Sequence, residues 1–222
     1  MSNGTKVKKR DGRIESLDLE KMHKMVEEAC KGLAGVSASQ VEIQSGIQFY
    51  DGMTTAEIQE ILIKSASDLI TLDNPNYQFV AARLLLFGVR KSLYGRTKEL
   101  PPLENHIYNC TNIDVYDKGI FDKYSLEEIQ KADSFIDHER DLLFTYAGLR
   151  QVVDKYLVQD RSTGKVYETP QFMYMMIALT IFAEYPKETR LNYVRRYYDA
   201  ISRHRINIPT PIMAGVRTPI RQ

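Results

Sequence analysis

Cysteine is scarce: Cys30 and Cys110 stand far apart, with no CxxC pair. That spacing excludes a disulfide framework and reads as two reduced, mostly buried thiols in a cytoplasmic protein. An excess of charge is missing too. The 30 basic residues balance 29 acidic ones, so no global field points to nucleic acid or to a membrane surface. Long apolar runs are absent. The longest, Phe172 to Ala183, is about 12 residues and contains Tyr174 and Thr180, against the roughly 20 that span a bilayer. It predicts a buried core helix. The first residues, Met1-Ser-Asn-Gly-Thr-Lys6, are polar and then basic, unlike a signal peptide. There is no Walker A lysine motif, no GxGxxG, no internal repeat and no low-complexity segment. What remains is an ordinary globular composition over 222 residues, enough for one or two domains with a real core.

The pattern along the chain is mainly helical. Residues 6–13 read as a strand entering an Asp11-Gly12 turn, and Ile14 to Leu17 return as a second strand. Asp18 caps a helix whose apolar positions Leu19, Met22, Met25, Val26, Ala29 and Cys30 follow the 3.6 period, with Gly32 and Gly35 ending it. Ser37-x-x-Gln40 and Thr54-x-x-Glu57 are capping-box patterns for two more helices, Ala38 to Phe49 and Thr54 to about Leu72. A fourth runs from Tyr77 to Leu93, with Gly95 at its C′ position. Residues 1–95 therefore form one domain, and the Arg96 to Pro102 linker opens a second over 96–222. There Ser125-x-x-Glu128 caps a short helix, Phe144 to Tyr156 is helical, and Leu157 to Tyr167 forms a hairpin turning at Gly164. Pro170 starts the apolar helix, and Pro186 starts one rich in Tyr and Arg. The last stretch, Ile206 to Gln222, is apolar, cut by three prolines and strand-like. A terminal strand needs a partner. With few strands upstream, the expectation is a polypeptide completed by another chain.

Chemistry is suggested first by the hairpin. Lys6, Lys8, Lys9, Arg10 and Arg13 crowd it, Lys21 follows in the first helical turn, and Arg90 and Lys91 lie near the end of the fourth helix. Converging cations beside a helix N-terminus suit a triphosphate, with Glu15 and Asp18 as acceptors for a ribose or an adenine amino group. On composition alone the simpler reading is a solvated, charged hairpin.

Ordered motifs change that weighting. Val7-x-Lys-Arg-Asp-Gly-x-x-Glu15, Lys21, Gln48-Phe-Tyr-Asp-Gly52, Thr55, Ala81-Ala-Arg-Leu84 and Arg90-Lys91 resemble an ATP-cone, the allosteric nucleotide-binding domain of many ribonucleotide reductases. Phe135 to Asp141, Lys155 to Val158, Glu168-x-x-Gln171-Phe, Tyr185 to Arg190 and Pro209-Thr-Pro-Ile-Met-x-Gly-Val-Arg-Thr-Pro219 resemble the large (α) subunit of aerobic class I ribonucleotide reductases, in collinear order. The resemblance implies an ATP or dATP effector with Mg, contacted by Val7, Lys9, Arg10, the stretch Glu15, Ser16, Leu17, Asp18, Leu19, Glu20 and Lys21, then Thr55 and Lys91. It implies that Thr210, stiffened between two prolines, contacts a substrate diphosphate. It implies conversion of ribonucleoside to deoxyribonucleoside diphosphates, with the redox cysteines on a C-terminal catalytic chain carrying the barrel, a di-iron β subunit as radical source, and thioredoxin or glutaredoxin as reductant. The terminal strand would be the first of that absent barrel. Cys30 and Cys110 match none of the family's redox positions, so no catalytic or metal-binding residue is assigned here, and the chain alone is expected to be inactive.

Two positions depart from the family pattern. Cones inhibited by dATP commonly carry histidines where this sequence has Gln59 and Gly88, which predicts nucleotide binding without dATP shutdown. The other classes considered are a stand-alone ATP-cone regulator, opposed by the reductase-like stretch after Gly95, and a nucleic-acid binder, opposed by the balanced charge.

Overall fold

The hairpin closes where the Asp11-Gly12 turn predicts. The computed structural model, which describes residues 5–9, 11–46 and 48–220, pairs β1 (Lys6–Lys8) antiparallel with β2 (Ile14–Ser16) in the register Lys6↔Ser16, Val7↔Glu15, Lys8↔Ile14. Gly12 takes φ +86°, a conformation with no steric cost for glycine. The free edge of β1 is used by the loop before the third helix. Lys8 N donates to Met53 O at 2.9 Å, Gly52 N to Lys6 O at 2.8 Å, and Lys6 N to Asp51 Oδ1 at 2.7 Å.

The chain divides into two compact units, Met1–Gly88 with Leu142–Arg150, and Val89–Asp141 with Gln151–Gln222. In the first, α1 (Leu19–Cys30) starts at its Asp18 cap, which accepts from Lys21 N at 2.9 Å. Helix α2 (Ala38–Gly46) follows, then α3 (Thr55–Asp68), whose Thr54/Glu57 capping box forms in full. Val80, Ala81, Ala82, Leu84, Leu85 and Leu86 of α4 (Tyr77–Tyr94) are buried, and the core also takes Val26, Val41, Leu62 and Ala66. The last turn of α1 has no basic residue of its own. Arg83 of α4 supplies the donors instead, bonding Ala29 O at 3.1 Å and Lys31 O at 2.7 Å. A short α8 (Tyr146–Gln151) lies mostly in this unit.

The second unit is helical. It holds α5 (Leu103–Asn112), α6 (Ile120–Lys123), α7 (Leu126–Asp133), α9 (Pro170–Ile181), α10 (Lys187–Ser202) and α11 (Thr210–Gly215). Helix α9 is buried along all of Pro170 to Leu179, as its unbroken apolar run predicts, and packs on α10. Arg190 of α10 grips Glu128 of α7 through two bonds, 2.7 and 2.6 Å, while its guanidinium lies 4.1 Å from the centre of the Tyr124 ring. A π-helical turn, Val152–Tyr156, ends in a loop closed by the Gln159↔Val166 bridge, with Gly164 at φ +70°.

The mainly helical reading with one small N-terminal sheet holds, with one correction. The terminal segment expected as a strand is helix α11 over Thr210–Gly215. The prolines decide it. Pro209 occupies the N-cap and Pro211 the first turn, where a fixed φ and a missing N–H fit a helix start. No strand is offered to the segment among the described residues, and its Arg217 is buried rather than free.

Candidate functional site

In the first unit β2 runs directly into α1 through Leu17, whose N–H donates to Thr5 O at 2.8 Å. That junction gathers most of the nucleotide-contact residues expected from the sequence. Val7 is buried beneath the hairpin. Lys9, half-buried, lies 3.3 Å from Glu15, and Glu15 also meets Arg13 at 3.2 Å. Ser16 is exposed on β2, and Asp18 is committed as the helix cap. Glu20 pairs with Lys24 at 2.6 Å. Lys21 is exposed in the first turn of α1, and Thr55 is half-buried at the first position of α3. Arg10 lies outside the described residues. Lys91 stands half-buried in the last turn of α4, within the second unit.

Beside this junction lies a cavity of about 640 Å³, lined by Leu17, Leu19 and Glu20 together with Thr5, Met22, His23, Glu42, Ile43, Gly46 and Phe49. Its apolar wall suits a flat ring, and the cationic hairpin suits the charge attached to it. The ion pairs of the hairpin are open to solvent on at least one side, with Glu15 exposed and Lys9 half-buried, and so contribute little. A phosphate can therefore replace the Glu15 carboxylate as the partner of Lys9 at small cost. His23 bonds Glu42 at 2.8 Å and Glu27 at 3.2 Å. The hydrogen bond to Glu42 is the main reason its imidazole is held above the ordinary histidine range. This His23–Glu42 wall was not singled out in the sequence, because nothing local marks α2 as facing α1, and Met22 and Phe49 were read there only as a helix-core position and a motif residue.

Gln59 and Gly88 do meet. A Cβ on Gly88 would lie 3.2 Å from Gln59 Cγ, and Gln59 Nε2 donates to Leu84 O at 2.7 Å. The glutamine is folded onto the helix at the notch the glycine leaves.

In the second unit Thr210 is exposed at the start of α11. It lines a cavity of about 910 Å³ whose opposite wall is the loop Leu157, Val158, Gln159, Asp160, Arg161 and Tyr167. Behind it runs a buried polar chain that sequence reasoning missed. Arg217 and Glu168 form a fully buried ion pair, and the Tyr116 hydroxyl donates to Glu168. His106 Nε2 lies 3.0 Å from that hydroxyl, its ring stacked 4.2 Å from Phe172. Burial, with the charges of His138 and Arg217 behind it, pushes His106 down to about 3. The available signal was a charged residue inside each of two apolar stretches, since buried Glu and Arg are almost always paired. Burial also pushes Cys110 up to about 12 and Cys30 up to about 11. Neither thiol is a thiolate near neutrality, so neither is poised as a nucleophile.

Comparison with known proteins agrees with both halves. The ATP cone domain family matches residues 5–92, and the ribonucleotide reductase all-alpha domain family matches residues 142–221. The whole chain is 49% identical to ribonucleoside-diphosphate reductase 1 subunit alpha of Escherichia coli (strain K12), covering 29% of that protein. The chain is homologous to the N-terminal region of class I ribonucleotide reductase alpha subunits. The alpha subunit of Haemophilus influenzae is likewise 49% identical over 100% of this chain and 29% of its own length. That of Enterobacteria phage T4 is 44% identical over 96% of this chain and 28% of its own. The chain thus spans less than a third of these curated reductase relatives. Among the described residues no helix is long and apolar enough to cross a membrane, and no group of His, Cys, Asp and Glu is arranged to hold a metal ion.

Proposed function

We propose that this chain supplies the effector-binding domain, residues 1–95, and the helical region 96–222 to a cytoplasmic ribonucleoside-diphosphate reductase large subunit. The supporting observation is the junction of a cationic hairpin, a capped helix start and an apolar cavity, inside a region that matches the ATP cone family. ATP or dATP, with Mg²⁺, sits with its phosphates toward Lys9 and Lys21 and its base toward Val7 and Leu17. Lys91 joins the effector contacts by resemblance. Thr210 contributes to the substrate diphosphate site. Thiyl-radical chemistry needs a cysteine that can lose a hydrogen atom and a dithiol that supplies two electrons, and by resemblance Cys30 and Cys110 match neither position. It falls to a catalytic portion outside these 222 residues, with a radical-generating β subunit and a thioredoxin-type reductant. Because Gln59 and Gly88 stand where dATP-inhibited cones commonly carry histidines, two imidazole donors are missing, and ATP or dATP binds weakly without switching the enzyme off.

Calorimetric titration of ATP into the chain tests this reading. Lys9→Ala and Lys21→Ala should each weaken binding by about tenfold, the usual loss for a charge-assisted contact. Unchanged affinity in both would return the hairpin to a solvated charged surface. Potent dATP inhibition of the reconstituted enzyme would overturn the statement about Gln59 and Gly88.

A further inference from the structure

Arg217 spends its guanidinium in three directions. Nε reaches both Glu168 oxygens, at 3.1 and 2.9 Å, and Nη2 bonds the same carboxylate. Nη2 also donates to Tyr156 O at 2.9 Å, at the end of the π-helical turn, and Nη1 to Met213 O at 2.6 Å, inside α11. Glu168 answers from the other side, accepting Val158 N at 2.7 Å and the Tyr116 hydroxyl. Both side chains are wholly buried. One ion pair therefore ties α11 to the start of the loop that faces it, and those two walls bound the cavity lined by Thr210.

We infer that Arg217 and Glu168 are a positioning pair, holding Thr210 at the distance from the Leu157–Arg161 wall that a nucleoside diphosphate requires. The inference rests on the reading of Thr210 as a diphosphate contact. Stability alone is a poor explanation for the pair, because a buried ion pair is costly to assemble and a packed apolar pair often replaces it without loss. What an apolar pair cannot do is fix direction. The planar fork of arginine meets a carboxylate and two carbonyls at set angles, whereas the point charge of lysine cannot meet all three. The last element of the described chain is thus held by a directional bolt, and a shift of about an ångström in a positioned contact is enough to lose binding or rate.

The test is a kinetic double-mutant cycle in the complete reductase. Arg217→Lys should raise KM for the diphosphate substrate about tenfold, with kcat changed less than about threefold, the signature of lost uniform binding. Thr210→Val should raise KM as well. The double variant should be no worse than the poorer single one, because both act through one contact. ATP affinity should stay unchanged, showing that the first unit is intact. Should Arg217→Lys fail to fold, Glu168→Gln serves in its place with the same expectation. Hydrogen exchange on the 222-residue chain adds a readout free of catalysis: amides of residues 213–218 should lose protection in either variant. A folded Arg217→Lys enzyme with unchanged KM, or strictly additive effects, overturns the positioning role while leaving Thr210 in place. A silent Thr210→Val removes the underlying reading itself.

Discussion

At the scale of single residues, the contact between Gln59 and Gly88 shows how a substitution that looks like a loss can be matched. Glycine in a helix interior costs about 1 kcal/mol relative to alanine. Here that cost opens a notch for a glutamine whose amide bonds the carbonyl of Leu84. A Cβ at position 88 would press on Gln59 Cγ at 3.2 Å, and the glutamine can give way only by loosening its 2.7 Å bond. The two effects are of similar size, since a neutral hydrogen bond contributes about 1 kcal/mol net. Gly88→Ala should therefore leave stability within about 0.5 kcal/mol of the parent. In a Gln59→Ala background, the same change should stabilise by about 1 kcal/mol, because the obstruction is gone. Urea unfolding of the four proteins measures this coupling. Equal effects of Gly88→Ala in both backgrounds would mean that the notch and the glutamine are independent.

At the scale of elements, what was legible in the sequence is what the chain satisfies locally. Asp18, Thr54 and Ser125 each cap the helix that follows them, and the two full capping boxes form as their spacing predicts. The Ser37/Gln40 pattern is a half-case. The Tyr77 hydroxyl inserts itself, accepting from Ser37 N at 3.0 Å and donating to Gln40 Oε1, so a distant residue completes the cap. Helix α5 was not legible at all. Its cap position is Pro102, which offers no side-chain acceptor, and Leu103 N is satisfied by Asp133 Oδ1 of α7 at 3.0 Å. Helix α11 was misread because Ile206, Ile208, Ile212 and Val216 suggest a strand, and because the burial of Arg217 depends on Glu168, a partner far away in the chain. The candidate nucleotide site divides in the same way. The hairpin and the start of α1 are local and were legible, while the α2 wall of the cavity is tertiary and was not. Thr54 joins the two levels, capping α3 and forming a parallel bridge to Lys8 of β1. Thr54→Ala should cost the first unit about 1 kcal/mol through the lost cap. It should also weaken ATP binding, because the hairpin edge loosens with it. Thr54→Ser, which keeps the cap oxygen, should restore both, and a failure to do so would assign the effect to the methyl group instead.

At the scale of the whole molecule, the buried titratable groups of the second unit give its stability a pH dependence of predictable sign. Burial pushes His106 down to about 3 and His138 down to about 4, from an ordinary 6.5. It pushes Asp141 up to about 6 from 3.8, against the pull of Arg90 at 3.0 Å. Between about pH 6 and pH 5 the unfolded chain protonates both histidines while the folded chain protonates neither, which favours unfolding as pH falls. Asp141 opposes this, since in that window the folded state holds its proton and the unfolded state does not. Two protons against one leave a net uptake of about one proton on unfolding, or about 1.4 kcal/mol of stability lost per pH unit. His204, also lowered by burial, adds in the same direction. The surface pair of His23 with Glu42 works the other way, because a raised imidazole stabilises below its ordinary range and loses that contribution as pH rises. Both states already protonate His23 by about pH 5.5, so it contributes little to the slope there. Urea midpoints for the second unit should therefore fall from pH 6 to pH 5. His106→Gln should reduce that slope by about one proton's worth, since glutamine keeps a polar group beside Tyr116 but cannot titrate. An unchanged slope in the variant would mean that His106 is hydrated in the folded state, and that the stacked His106–Phe172 core is looser than its 4.2 Å separation indicates.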